Sequence, residues 1–187
     1  MNEEIEIRAL LDDDDIPAIT ALLHDAYAPL AAMGFRYLAS HQDDVVTRQR
    51  LHQGLPFVAV MSSRIIATIT LRPSNPDSEC SWYRETDVFT FGQFGVLPSL
   101  QRCGIGLRLM DIIEQEATKK GARALALDTC EDANHLCRWY SRLGYDFIQH
   151  ISWHDTNYRS VVLSKPLHGA QNQRIEHGSV HPLPFPK

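Results

Sequence analysis

The hexapeptide Gln101-Arg102-Cys103-Gly104-Ile105-Gly106 sits at a junction between two kinds of periodicity. Before it, Asp87 to Leu97 has strand character. After it, Ile105, Leu109, Ile113 and Ala117 recur every four residues with Met110 beside them, while Arg108, Asp111, Glu114, Gln115 and Thr118 fall on the opposite side. That pattern is an amphipathic helix. Glycine lets the backbone turn without a Cβ in the way, and the first turn of a helix offers unpaired N–H groups and a positive dipole end to an anion. The junction therefore reads as a strand-to-helix turn suited to pyrophosphate. A lone Gly-x-Gly also serves turn geometry alone, so the strand before it and the helix after it carry the reading. A P-loop would require Gly-Lys-Ser or Gly-Lys-Thr, and a dinucleotide fold a third glycine. Gly106 is followed instead by Leu107-Arg108-Leu109.

Working outward, Lys119-Lys120-Gly121 closes this helix, and Ala124 to Leu127 is apolar on both faces, as a buried parallel strand should be. A second helix follows with Leu136, Trp139, Tyr140 and Leu143 at helical spacing before Gly144, and Tyr145 to Ile151 and Tyr158 to Leu163 read as strands. Upstream, Ile5 to Leu10 alternates as a strand, and Asp12 to Asp15 caps a helix that starts at Ile16-Pro17 and is expected to run to about Ala28. Pro29 and Gly34 interrupt the pattern, and Asp43 to His52 is a short helix with Val45, Val46 and Leu51 facing inward. Pro56 to Met61 and Ile65 to Leu71, joined by Ser62-Ser63-Arg64, form a hairpin. Pro73 to Thr86 reads as a loop long enough to border a substrate site, and Gly92 and Gly95 mark a bulge or a close backbone approach in the strand after it. The order predicts an α/β domain (α+β mixed sheet) of about six to seven strands and about four helices. Residues 87 to 128 should make a right-handed crossover. The domain is expected over 1–165, with a Pro/His-rich tail over 166–187.

At 187 residues, 44% hydrophobic and 22% charged, the chain is long enough for one core. No run reaches the roughly 18 apolar residues of a membrane span, and Met1-Asn2-Glu3-Glu4 is acidic where a signal peptide is basic, so a cytoplasmic location is expected. Cys80, Cys103, Cys130 and Cys137 show no disulfide-framework spacing and read as free thiols. A net charge of -5 argues against charge-driven nucleic-acid binding. Nine histidines form no H-E-x-x-H and no Cys/His ligand pattern, so no metal is expected.

Two motifs at the right separation resemble those of the GNAT acetyltransferase superfamily. One is the strand, (Gln/Arg)-x-x-Gly-x-(Gly/Ala) and helix over residues 88 to 120; the other is Trp139-Tyr140-Ser141-Arg142-Leu143-Gly144-Tyr145. With the element order, the resemblance covers roughly Ile5 to Ser164. It implies transfer of an acetyl group from acetyl-CoA to an amine by direct attack in a ternary complex. It also implies that the N–H groups of Arg102, Cys103, Gly104, Ile105, Gly106 and Leu107 hold the coenzyme A pyrophosphate, with Gln101 at the edge. Phe94, Gly95 and Val96 would pair with pantetheine and aim an N–H at the thioester carbonyl, and Asn134 would touch the cofactor. Tyr140 would return a proton to the thiolate, although its place on the apolar face also suits core packing.

Departures from the family pattern lie in the cradle and the base. Arg102 and Cys103 stand where relatives carry Gly and a basic residue; Arg102 either adds charge for phosphate or points outward, and Cys103 is either a small side chain or a thiol activated at a helix start. Asn134 stands one position later than the commonest spacing. Relatives often place a Glu on the central strand, but Thr90 to Phe94 holds no carboxylate, leaving Glu85 and Asp87 as candidate bases acting through water, or as solvated loop residues. The acceptor pocket is expected to draw on Tyr27 to Tyr37, including Phe35, and on Trp82 and Tyr83, aromatics that equally serve packing. Expected partners are an amine-bearing acceptor, small molecule or peptide, with a homodimer left open and neither nucleic acid nor membrane involved. The missing strand carboxylate sustains one alternative, a non-catalytic acyl-CoA-binding sensor or interaction module.

Overall fold

A computed structural model describes residues 4–167. Seven strands form one sheet in the order β1-β2-β3-β4-β5-β7-β6. They are β1 (Ile5–Ala9), β2 (Leu55–Met61), β3 (Arg64–Arg72), β4 (Val88–Val96), β5 (Ala124–Cys130), β6 (Asp146–Ile151) and β7 (Ser160–Pro166). Every neighbouring pair is antiparallel except β4 and β5. The helices are α1 (Ile16–Ala32), α2 (Asp44–Leu51), α3 (Ser81–Arg84), α4 (Ile105–Lys119) and α5 (Asn134–Arg142). The expected order holds, and the one extra helix, α3, is a single turn inside the stretch read as a loop. Among the described residues, no helix is long and apolar enough to cross a membrane.

Three local expectations need correction. Helix α1 passes through Pro29 to Ala32, because proline's fixed φ suits a helix and only one backbone bond is lost, while Leu30 anchors the last turn against Cys130 and Ala133. In α2 the inward residues are Thr47 and Leu51, whereas Val45 is 63% exposed. Thr47 turns inward because its hydroxyl bonds Thr20 of α1, 2.9 Å away. Pro166 and Leu167, assigned by sequence to the tail, belong to β7 and the core, where Leu167 is buried; residues 168–187 lie outside the described part.

The acidic run before α1 is structural. Asp15 caps the helix by accepting from the Ala18 N–H, and Asp14 takes both Nη groups of Arg8 at 2.7 Å. The hairpin turn uses Ser62 and Ser63, both with positive φ, as a two-residue β-hairpin of matching twist requires.

Side-chain alternation sorts the sheet into two faces. Val58, Thr68 and Thr70 face α1 and α2, while Ala59, Ala67, Ile69 and Leu71 join Ile105, Leu109, Met110, Ile113 and Ala117 of α4 in the main core. Helix α1 lies tight on β4: a Cβ at Gly95 would meet Ala26, Leu22 and Leu23 at 3.2 Å.

Candidate active site

Strands β4 and β5 pair only from Val88–Ala124 to Thr90–Ala126. Beyond that point they separate, so the main-chain groups of Phe91 to Val96 that point away from β3 have no strand beside them. A bulge sits in the same stretch. Thr68 pairs with Gly95 and Thr70 with Gly92, leaving Ile69 opposite both Gln93 and Phe94, and Gln93 takes φ +49°.

The turn after β4 leads into α4 on one side of this gap. Arg102 and Gly104 are left-handed, with φ +63° and +81°, and a Cβ at Gly104 would meet nothing within 4 Å. The first bond of the helix runs from the Arg108 N–H to the Gly104 carbonyl. Among the described residues, no acceptor pairs with the N–H groups of Arg102 to Leu107, so a row of donors faces open space at the positive end of α4. The Gln101 side chain donates to the Val96 carbonyl at 3.2 Å and ties the cradle to the end of β4. Phe94 and Val96 point toward α4, where Gly106 lies against them, while Gly95 points toward α1. Asn134 opens α5, exposed, with its amide donating to the Asp132 carbonyl. Cys103 is exposed at the rim of the cradle.

On the opposite face of the sheet lies a cavity of about 710 Å³. Its walls come from Tyr27 of α1, Tyr37 before the short 3-10 turn Leu38–Ser40, Arg50 of α2, Arg72 at the end of β3, and Thr90 to Gln93 of β4. Tyr83 of α3, Asp128 of β5, and Trp153 and Tyr158 from the β6–β7 connection also line it, with Asp77, Glu79 and Asp155 at the rim. Asp128 Oδ2 accepts from Trp153 Nε1 at 2.8 Å and Oδ1 from the Tyr83 hydroxyl at 3.3 Å, with the two rings stacked beside it. Burial pushes the Asp128 carboxyl above the usual carboxylate range, and the bond from Trp153 only partly offsets it. Tyr37 accepts from the Cys130 N–H at 2.8 Å and sits 2.9 Å from the Thr129 hydroxyl, which fixes its ring against Tyr158. Gln93, re-aimed by the bulge, meets the Gln42 side chain, whose Oε1 accepts from Arg50 Nη1 at 2.7 Å.

The β4–β5 gap thus has a donor-lined cradle on one face and a polar cavity on the other. The model of the Acetyltransferase (GNAT) family matches residues 17–145. The chain belongs to that family. The GNAT chain is 26% identical over 136 residues to S-(2-succino)cysteine N-acetyltransferase of Bacillus subtilis, covering 70% of this chain and 78% of that protein. Its fold is similar to the ribosomal-protein-S18-alanine N-acetyltransferase from Escherichia coli, with TM-score 0.66 and 17% identity, over 92% of this chain and 100% of that one. It is also similar to a GNAT family acetyltransferase from Elizabethkingia anophelis with acetyl-CoA bound, with TM-score 0.62 and 17% identity, over 87% and 98%.

Within this GNAT domain the residues singled out by sequence separate into groups. Tyr140 lies on the α4–α5 side of the sheet, 7% exposed, among the rings of Phe91, Trp139 and Tyr145. Its hydroxyl has no partner among the described residues, and burial pushes the phenol well above its ordinary pKa, so it stays protonated. Phe91 packs its ring 6.1 Å from that of Tyr140 and also borders the cavity. Tyr27 and Tyr83 line the cavity; Phe35 packs behind it against Tyr158, and Trp82 lies under the Arg123 guanidinium instead. Glu85 and Asp87 do not reach the cavity. Arg123 holds Asp87 at 2.7 Å and Glu85 at 3.7 Å, at the paired end of β4 and β5 rather than the open one. Sequence reasoning missed Asp128, Arg50, Arg72, Trp153 and Tyr158. One signal was available for Asp128: it is the sole charged residue in the strand Ala-Leu-Ala-Leu-Asp-Thr-Cys. No group of three metal-ligating side chains occurs among the described residues.

Proposed function

We propose that this GNAT enzyme takes a small amine into the cavity on the α1 face and acetylates it directly from acetyl-CoA held on the α4 face. Asp128 then receives the proton of the amine, and Tyr140 protonates the departing thiolate. Acetyl-CoA supplies an acyl group activated as a thioester. The open cradle fits its pyrophosphate: the N–H groups of Arg102 to Leu107 are free, and the side of Gly104 is clear. Gln101 and Asn134 border that site. Main-chain groups of Phe94 to Val96 lie along the gap, where an N–H would stabilise charge developing on the acyl oxygen.

The observation that carries the reading is Asp128. An alkyl ammonium ion has a pKa of about 10 and must lose a proton before its nitrogen attacks. A carboxylate raised by burial is a better proton acceptor than a solvated one, and this one faces the cavity from the strand bordering the gap. The ammonium proton leaves through Asp128 to solvent before attack; the N–C bond then forms as the C–S bond breaks, the second N–H proton goes to the freed Asp128 carboxylate and on to solvent, and the sulfur takes the Tyr140 proton, which solvent restores. Asp128 also answers the absence of a carboxylate on Thr90 to Phe94, which had sustained the alternative of a non-catalytic sensor. The Bacillus subtilis relative is named for a small-molecule acceptor, in keeping with a cavity in the range typical of such ligands. Four free cysteines suit a reducing, cytoplasmic setting.

The test is release of coenzyme A thiol from acetyl-CoA on addition of amines of several classes to the purified protein. Amine-dependent thiol release is expected. A protein that is stabilised by acetyl-CoA yet turns over with no amine would return the chain to the sensor reading.

A further inference from the structure

Two guanidinium groups share the cavity with Asp128, and neither has a carboxylate partner among the described residues. Arg72 ends β3, and its guanidinium lies flat against β4: a Cβ at Gly92 would come within 3.0 Å of Nη1. Its Nε is buried without a hydrogen-bond partner, and its Nη2 reaches only the Arg50 carbonyl, at 3.5 Å. Arg50 is held by a neutral partner, the Gln42 side-chain oxygen, and Gln42 is itself fixed by its Nε2 donating to the Thr47 hydroxyl and to Gln93 Oε1. Burial first, and then the like charge of Arg50, push Arg72 down to about 10. It remains a cation at neutral pH, as Arg50 does. The rim carboxylates Asp77, Glu79 and Asp155 are exposed; none is in contact with either guanidinium, and Asp155 acts on Arg50 only at a distance, as Asp128 does.

Partly buried like charges with no carboxylate in contact are costly even with Asp128 acting on both from a distance, and an unpaired buried donor adds to that cost. The pair would be relieved by an anion. Guanidinium forks match the planar geometry of carboxylates. Asp128, on β5, supplies the opposite charge in the same cavity. A ligand that is cationic at one end and anionic at the other would satisfy all three groups at once.

We infer that the acceptor carries a carboxylate beside its amine, the carboxylate at Arg50 and Arg72 and the amine at Asp128, so that the substrates are small free amino acids or their derivatives. This rests on the acetyl transfer proposed for the same cavity. It adds that Arg50 and Arg72 determine specificity, Gln42 and Gln93 hold Arg50 in place, and a side chain on the amino acid extends toward the aromatic wall of Tyr27, Tyr37 and Tyr158.

The experiment compares kcat/KM for a panel of L-amino acids with that for their amides and for the corresponding decarboxylated amines, with O-phosphoethanolamine as a separate arm. The wild-type enzyme should favour the free acid over its amide by about 10- to 100-fold, the range for hydrogen bonds to a charged group. In Arg50→Gln and in Arg72→Gln that ratio should collapse toward one, and Arg72→Lys should recover part of it. Melting curves establish that each variant is folded, and the wild-type ratio is a test that needs no variant. Amides or simple amines used as well as the acids would overturn the inference, as would faster turnover of O-phosphoethanolamine, or an acid preference that survives both Gln variants. Failure of every amine, with acetyl-CoA binding intact, is a different result: it removes the acetyl-transfer reading itself, and the inference falls with it.

Discussion

Replacing Asp128 with Asn keeps the shape of the side chain and the acceptor for Trp153 Nε1, which now bonds the amide oxygen at the position of Oδ2. What is lost is the negative charge, the ability to take up a proton, and the acceptor for the Tyr83 hydroxyl at the position of Oδ1. Removing one acid–base group costs roughly 10²- to 10⁴-fold in rate. At about 1.4 kcal/mol per tenfold, the barrier rises by about 3–5 kcal/mol. The loss should shrink as the assay approaches the pKa of the amine, about 10, because the acceptor then arrives deprotonated. Stability should move the other way. The folded-state pKa of Asp128 is raised by burial, so the wild-type fold gains stability from this group when it is protonated and loses it as pH rises through that pKa. Above the raised Asp128 pKa the wild-type protein bears the cost of a desolvated carboxylate and the variant does not. The stability of the Asn variant relative to wild type should therefore fall as pH drops below that pKa. Thiol release across a pH series, with melting curves in the same buffers, checks both halves. Wild-type turnover by the variant at neutral pH, with chemistry rate-limiting, would refute Asp128 as the proton acceptor.

Saturating acetyl-CoA should raise the melting temperature of the wild-type protein, since a ligand at 100 times its Kd adds about 2.7 kcal/mol. Gly104→Glu should abolish that shift in a calorimetric or dye-based melt, because it brings a carboxylate to the cradle and a Cβ to φ +81°; an undiminished shift would place the pyrophosphate elsewhere. Tyr140→Phe keeps the ring among Phe91, Trp139 and Tyr145 and removes only the hydroxyl, so turnover should fall by roughly 10²-fold with coenzyme A affinity little changed. Full turnover in single-turnover kinetics would make Tyr140 a packing residue. Truncation after Leu167 should leave acetyl-CoA binding intact, whereas truncation after Ser164 removes the end of β7 and buried Leu167 and should lower the melting temperature; equal melting of the two would show that this segment contributes nothing.

Sequence alone determined the elements whose signal is local. The four-residue recurrence from Ile105 to Ala117 fixed α4 and its buried face, because helical periodicity is written in consecutive side chains. The unbroken apolar run Ala124 to Leu127 marked a strand covered on both faces, and Gly104 before α4 marked a left-handed turn that a residue without Cβ makes most easily. From these came the cradle, and with the Trp139 to Tyr145 motif, the family. The cavity was beyond reach. Its charges stand on α2, β3 and β5 at positions 50, 72 and 128; nothing in their immediate neighbours distinguishes Arg50 and Arg72 from surface residues, and Asp128 is marked only as the one charge in its strand. Glu85 and Asp87 looked like bases because they are near the central strand in sequence, but β4 is extended, and its length separates their end from the open gap. Asp128 became the candidate only because β5 runs parallel to β4 and parts from it after three pairs, setting the end of one strand beside the middle of the other. Pairing register and the place where strands diverge depend on contacts between residues far apart in the chain, so only the folded sheet could decide which carboxylate and which guanidinium groups face one another.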